Sequence, residues 1–555
     1  MAFFSNIPFF RSSGGGGHNN NNNSSSNRAN EFILIRTYSF ARLGRYLHKL
    51  VLFLYRFSVF HFSPFFLHVV YFGGLVLLGS LLMSVLPPSN PDYNPRYVDM
   101  FFMSTSALTV SGLGTVVMED LSSPQVIVLA LLMLVGGEAF VTLLGLLLQR
   151  IKPPAAQGSQ VAGEESDDQN DVAVDIIVAD NHDVVTHREA AAAKEEEHLA
   201  SLCVRRMGNI LMAYIFVFHV FGIVSLVIYF KCVSDARQIL AAKGIDTFLF
   251  AFSSTASSFA NGGIIATNEN MAIFNRNPTV LLLMIAQVLA GNTLLPLFLR
   301  WTVSALRRLT KKQDLDRTLK ADAVVVEPLL PAAETRRVSL TVVGLLTALL
   351  GLFLAMDWDG AVFAGQTPFE KFSSAFFIAA NSRHAGENSI DPSLISPAVL
   401  VFIIVMMYLP SSMTFTPIHD DEDEKKTNKE KKKKTMKKKS SSWIAHLIFS
   451  QLSYIIIFVM AICIIERKKL SRDPLNFSTL NIIFEVMSGY GNVGLSTGYS
   501  CARLQRIHPE AVCADKPYSL SGKWSDGGKV ILCFVMLYGR LKKFSANGGK
   551  GWKLY

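Results

Sequence analysis

Apolar residues along this chain gather into eight runs, at about 65–86, 126–151, 208–230, 279–303, 339–358, 397–415, 443–466 and 527–544. Each approaches or exceeds the roughly 20 residues needed to cross bilayer hydrocarbon. The last is the weakest, short and flanked by Gly527, Gly528 and Arg540. Taken in pairs, the runs enclose short segments rich in Phe, Ser and Met, each ending near a glycine motif. Residues 99–108 lead to Thr109-Val110-Ser111-Gly112, 246–260 to Asn261-Gly262-Gly263, 368–380 to His384-Ala385-Gly386, and 477–488 to Asn492-Val493-Gly494. They are too short and too polar to span, and each is predicted to be a half-helix that enters the membrane and turns back. Backbone that is not helical survives at membrane depth only inside protein or against a water-filled cavity, and glycine is the natural residue there. The pattern predicts an all-α membrane protein with eight transmembrane helices. Four tandem helix, pore-loop, helix units would enclose one pseudo-tetrameric pore.

This pattern divides the chain into alternating membrane and cytoplasmic pieces. The boundaries are 1–60 (N-terminal region, disordered at 11–30), 61–151 (unit 1), 152–204 (acidic loop), 205–303 (unit 2), 304–337 (linker), 338–418 (unit 3), 419–442 (charged loop) and 443–555 (unit 4 with a basic tail). Asn, Ser and Gly tracts argue disorder at 11–30, and 155–200 reads as a solvated loop. Met1 to Phe10 has neither the basic region nor the apolar core of a cleavable signal.

Composition agrees with a membrane reading: 50% of the 555 residues are hydrophobic, 17% are charged and 40 are Phe. Mean hydropathy is +0.32. The net charge of +10 could point to nucleic acid, but the basic residues sit where cytoplasmic anchors belong. Arg42, Arg45, Lys49 and Arg56 precede the first run, Arg150 and Lys152 follow the second, Arg205 and Arg206 precede the third, and Arg307 and Arg308 follow the fourth. Both termini are therefore expected in the cytoplasm, with no nucleic-acid partner. The loop at 420–442 turns from acidic to nearly pure lysine. It reads as an orientation anchor or as a contact for anionic lipids of the bilayer.

Enzymatic motifs do not survive their context. Gly489-Tyr490-Gly491-Asn492-Val493-Gly494 satisfies G-x-G-x-x-G, yet apolar spans flank it and no βαβ unit surrounds it. The histidines at 18, 48, 61, 68, 182 and 187 lack metal-ligand spacing, and no Walker loop is present. The expectation is no enzyme and no cofactor. Six cysteines make no disulfide framework; Cys501 and Cys513, on the outer side, could bond or stay as two thiols. Asn476-Phe477-Ser478 fits a glycosylation acceptor. Glu269, Glu387 and Glu485 lie close to the glycine motifs, where an unpaired charge is expensive. Pairing with Arg383 or Lys371 would make them braces, with direct ion binding as the alternative. Glu138, after Gly136-Gly137 in the second run, should face a polar partner. Gly291-Asn292 and Leu409-Pro410-Ser411-Ser412 interrupt the fourth and sixth runs.

The ordered motifs resemble those of the plant HKT transporters, within the wider Trk and Ktr group of potassium uptake proteins. They are Thr109-Val110-Ser111, Phe259 to Gly263 followed by Thr267 to Met271, Asn381 to Glu387, Tyr490 to Tyr499, and Tyr538 to Phe544. The resemblance implies a selectivity filter of Ser111, Gly263, Gly386 and Gly494. Thr109, Val110, Asn261, Gly262, His384, Ala385, Asn492 and Val493 would flank it. In that family glycine at the first position goes with potassium permeation and serine with sodium selectivity. Ser111 therefore implies passive, sodium-selective transport, Na⁺ being held by backbone carbonyls. A serine Cβ in one quadrant should penalise the larger potassium ion more. The alternatives are a potassium-permeable transporter or Na⁺/K⁺ cotransporter of the same fold, and a membrane receptor or assembly subunit that transports nothing. The resemblance further implies homodimers in the plasma membrane. Arg540 is either an interfacial anchor or, as in the family, an electrostatic barrier in the path below the filter.

Overall fold

The computed structural model describes residues 64–151, 179–310, 332–409 and 451–542, and among them the chain is helical without a β-strand. Unit 1 comprises α1 (Pro64–Val85), the short α2 (Tyr97–Leu108), and α3 (Ser123–Gly136) with α4 (Glu138–Ile151). Unit 2 comprises α5 (Ala179–Cys232), α6 (Ser234–Ala242), the short α7 (Thr247–Ala260), α8 (Pro278–Val288) and α9 (Leu295–Thr310). Unit 3 holds α10 (Ala332–Met356), the short α11 (Pro368–Asn381) and α12 (Pro397–Tyr408). Unit 4 holds α13 (Gln451–Ile465), α14 (Arg467–Arg472), the short α15 (Thr479–Gly491), α16 (Cys501–Gln505) and α17 (Asp526–Leu541).

Among the described residues three helices, α1, α5 and α10, are long and apolar enough to cross a membrane. Two bent pairs qualify together, α3 with α4 at a 57° bend and α8 with α9 at 94°. The second bend falls at Leu294, directly after a π-helical turn at Leu289–Thr293 that holds the predicted Gly291-Asn292 interruption. Large apolar side chains are exposed on these helices, such as Leu77, Phe216 and Leu340, and on α13, such as Ile457 and Ile464, as lipid contact requires. One expectation needs correcting. Residues 179–200, read as loop, are helical and continuous with the span that follows. Their Ala, Glu and Lys content has high helix propensity, which outweighed the polar composition. The expectations for 11–30, for the lysine-rich loop and for Pro410-Ser411-Ser412 fall outside the described residues.

The short helices are set by local signals. Asp246 accepts from Leu249 N at 2.9 Å and Ser478 from Asn481 N at 3.2 Å, each capping an N-terminus. Thr367 and Glu370 form a capping box on α11, with Thr367 N donating to Glu370 Oε2 at 2.7 Å. Each short helix packs on the first helix of its own unit: α2 on α1, α7 on α5, α11 on α10 and α15 on α13. Each also receives the later helix of the preceding unit: α3 on α7, α8 on α11, α12 on α15, and α17 back on α2. This cyclic order makes the four units one closed ring.

Close packing inside three units depends on a glycine at the same place. Gly136, Gly291 and Gly539 lie against the carbonyls of Leu108, Phe259 and Tyr490, near the C-terminal ends of α2, α7 and α15. A Cβ at any of the three would overlap that oxygen. The later helix can therefore pass directly under the end of the short one.

Candidate ion pathway

Beyond their last turn, the short helices share one backbone solution. Val110, Asn261 and Asn492 take left-handed conformations (φ 53°, 61° and 53°), and the residues after them donate back five positions. Ser111 N reaches Ser106 O at 2.8 Å, Gly262 N reaches Ser257 O at 2.7 Å, and Val493 N reaches Ser488 O at 3.0 Å. The next residue is in each case a glycine with positive φ, Gly112 at 74°, Gly263 at 71° and Gly494 at 109°. In unit 3 Ala385 N and Gly386 N both donate to Asn381 O, at 3.0 and 3.1 Å, and Gly386 has φ 64°. Asn tolerates the left-handed region; Val110, branched at Cβ, is an outlier of the kind found at functional sites.

The four glycines close a ring whose register is visible in what each would strike if it carried a side chain. A Cβ at Gly112 would stand 3.0 Å from Gly262 O, one at Gly263 2.8 Å from Ala385 O, and one at Gly494 2.8 Å from Ser111 O. One at Gly386 would overlap Val493 O. Each glycine thus abuts the carbonyl preceding the next unit's glycine, in the order 1, 2, 3, 4 and back to 1. The residue of unit 1 that completes this set is Gly112 and not Ser111. Ser111 corresponds to Gly262, Ala385 and Val493. Its hydroxyl lies 2.8 Å from Thr109 Oγ1 and accepts from Asn492 Nδ2 at 2.8 Å, so the side chain braces the loop. Ser111 and Gly112 are adjacent, so spacing along the chain left the one-residue shift unread; the backbone pattern inside each loop and the contacts between units both tell them apart.

Gly112, Gly263 and Gly494 line a cavity of about 680 Å³, the vestibule, together with Asn268, Glu269 and Arg503. Behind the ring, the short helices end immediately before the loops, and their C-terminal carbonyl ends carry partial negative charge favourable to a cation. Asn270 Nδ2 donates to Gly263 O at 3.1 Å, and Ser488 Oγ accepts from Gly494 N at 2.9 Å. Asn492 Nδ2 also reaches Met536 O at 3.0 Å, tying its loop to α17. Asn261, with its amide oriented to donate, reaches Val288 O at 3.2 Å in the equivalent way. His384 and Arg383 are buried in the third loop.

The carboxylates near the ring find partners other than Arg383 and Lys371. Glu387 accepts from Ser258 Oγ at 2.9 and 3.0 Å, and Glu485 accepts from Ser521 N at 2.8 Å, both fully buried. Glu269 pairs with Lys243 at 2.6 Å. Lys371 instead donates to Trp358 O at 2.7 Å and sits over the Trp358 ring.

Arg540 is not an interfacial anchor: its side chain is completely buried. Nη1 lies 3.2 Å from Glu138 Oε2, and Nη2 donates to Gly136 O, at the break between α3 and α4. Glu138 therefore has the polar partner the sequence called for. A second pair, Lys529 with Asp99 at 2.6 Å, joins the same two units on the opposite side of the ring. Sequence reasoning missed Lys529, although a lysine three residues into an apolar run was itself a signal. In the loop of unit 4 between α15 and α17, Cys501 and Cys513 are disulfide-bonded, with Cα atoms 5.8 Å apart. Asn476 is no glycosylation acceptor here. It is buried, with Nδ2 donating to Asp473 Oδ2 and to Ser500 O, both at 2.8 Å.

Comparison with known proteins places this arrangement. The TrkH family, described as cation transport protein, matches residues 183–547. A cation transporter of rice, HKT2;4, is 42% identical, covering 93% of this chain and 99% of its own length. This chain belongs to the HKT family. The sodium transporter HKT1 of Arabidopsis thaliana is 38% identical, covering 83% of this chain and 89% of its own. Among solved structures, the potassium transporter TrkH of Vibrio parahaemolyticus aligns with a TM-score of 0.47 and 14% identity, covering 86% of this chain and 83% of its own. As an HKT protein the chain is a cation transporter of the membrane, not an enzyme.

Proposed function

We propose that this HKT protein carries potassium as well as sodium, passively, through the ring of Gly112, Gly263, Gly386 and Gly494. The reading rests on one observation, that Gly112 stands in register with the other three glycines. Within the family, glycine at that position goes with potassium permeation. A ring with no Cβ in any quadrant leaves four equivalent sets of carbonyls, which suits an ion that sheds most of its water. With no carboxylate in the ring, attraction for cations comes from these carbonyls and from the four short-helix ends. Arg540, below the ring, would act as a fixed positive barrier that Glu138 partly offsets. Ions would enter from the outer face of a plasma-membrane protein, with homodimers as the assembled form.

Sodium-selective passage is the second reading, and it is favoured by the likeness to a relative named a sodium transporter. It needs Ser111 to shape the ring through its backbone, since its hydroxyl is engaged elsewhere. Reversal potentials in oocytes bathed in sodium or potassium separate the two. A potential that follows potassium supports the proposal, and one that ignores potassium defeats it.

A further inference from the structure

At the outer mouth, one lysine joins the ends of two glycine loops. Lys243 follows α6, and its Nζ lies 2.6 Å from Glu119 Oε1 and 2.6 Å from Glu269 Oε2. Glu119 belongs to the loop leaving Gly112 and Glu269 to the loop leaving Gly263. The two loops are also tied directly: Glu119 N donates to Asn268 Oδ1 at 3.1 Å, and Asn268 N to Glu119 Oε1 at 3.2 Å. Glu269 lines the vestibule, and its side chain is 47% exposed, so external ions reach it. Burial by itself lowers the pKa of Lys243, but the hydrogen bonds to Glu119 and Glu269 outweigh it and hold the group above the ordinary lysine value. The ammonium is therefore charged at any physiological pH.

A point 2.6 Å from carboxylate oxygens of two separate loops is also a place for an oxygen-seeking divalent ion. Calcium takes oxygen ligands at about 2.3–2.6 Å, nearly the distance the ammonium keeps. We propose that Lys243 is a specificity-determining residue, a tethered ammonium standing where an external divalent cation would otherwise bridge Glu119 and Glu269. It thereby keeps divalent ions from accumulating at the mouth and competing with the monovalent ions carried. The inference rests on the transport reading above, since it locates these carboxylates on the ion's route.

A lysine that served only to clamp the loops would, on removal, weaken flux equally with and without calcium. The test compares full-length wild type, Lys243→Gln, Lys243→Arg and Lys243→Gln/Glu269→Gln in liposomes, with potassium flux measured against external calcium chloride. Lys243→Gln should be half-inhibited at a calcium concentration roughly tenfold below that for wild type. Lys243→Arg and the double variant should match wild type. Calcium should also raise the melting midpoint of purified Lys243→Gln and leave wild type unmoved. Should Lys243→Gln not fold, Lys243→His purified at about pH 5.5, where imidazolium keeps the charge, replaces it. Its calcium sensitivity should then rise on transfer to about pH 8, while that of wild type stays level. Wild-type calcium sensitivity in Lys243→Gln, or no change with pH in the histidine variant, overturns the proposal. If wild type carries no ions, the transport reading fails, while the melting experiment still decides whether the site binds calcium.

Discussion

The amide of Asn492 donates to the hydroxyl of Ser111 across 2.8 Å, joining the fourth glycine loop to the first. The same hydroxyl lies 2.8 Å from Thr109 Oγ1, and the same amide reaches Met536 O at 3.0 Å. Held from two directions, this side chain ties together the loops that carry Gly112 and Gly494. The contact gives the Ser111 hydroxyl a bracing role between two loops.

Ser111→Ala should therefore cost stability and spare selectivity. Losing the hydroxyl leaves buried partners short of a hydrogen bond, an effect of about 1–2 kcal/mol. A lower melting midpoint in detergent with an unchanged sodium to potassium permeability ratio is expected. A shifted ratio would return Ser111 to the ring.

Gly112→Ser should do the reverse. Its Cβ would stand 2.9 Å from the Cα of Gly494 and 3.0 Å from that of Gly263, at a φ of 74° that side chains rarely adopt. The ring must distort, and potassium permeability relative to sodium should fall at least about tenfold, equivalent to about 1.4 kcal/mol. Reversal potentials measure this directly, and an unaltered ratio would count against the glycine ring as the selective element.

The Arg540 and Glu138 pair should behave as a unit. Removing one charge strands the other in a buried place, at about 3–5 kcal/mol. Arg540→Gln and Glu138→Gln should each lower the yield of folded protein, and the double variant should recover much of it. That double variant, lacking the positive barrier, should carry larger current with the same ion preference. A double variant no more stable than either single one would show that the two side chains are not coupled.

Gly291→Ala offers a test of the packing. Its Cβ would overlap Phe259 O, whereas nothing lies within 4 Å of the position a Cβ would take at Gly344. Alanine at 291 should destabilise by about 1–3 kcal/mol while Gly344→Ala stays near neutral, as read by melting in detergent. Equal effects at both sites would mean that the helix relaxes freely there.

Most of the architecture was legible because hydrocarbon imposes length and polarity rules on any segment that crosses it. The half-helices announced themselves as short Phe- and Ser-rich segments before glycines, and all four are present as helices. The interruption at Gly291-Asn292 was legible as a polar break inside an apolar run, and it lies in the π-helical turn just before the bend at Leu294. Partners of charges were not. Glu269 was expected either to pair with Arg383 or Lys371 or to bind an ion, and it meets Lys243, just past a helix that the apolar pattern did not single out. The acidic stretch from 179 was misread because polarity speaks for solvent and says little against a helix.

By itself the sequence determined four short helices set between apolar runs, their order and the glycine placed after each, since these follow from composition and spacing along one dimension. Only the tertiary structure decided which residue of the first loop stands level with the other three glycines. It also decided which cation answers Glu138. Both depend on atoms from units hundreds of residues apart approaching to about 3 Å, and a linear pattern carries no measure of that distance.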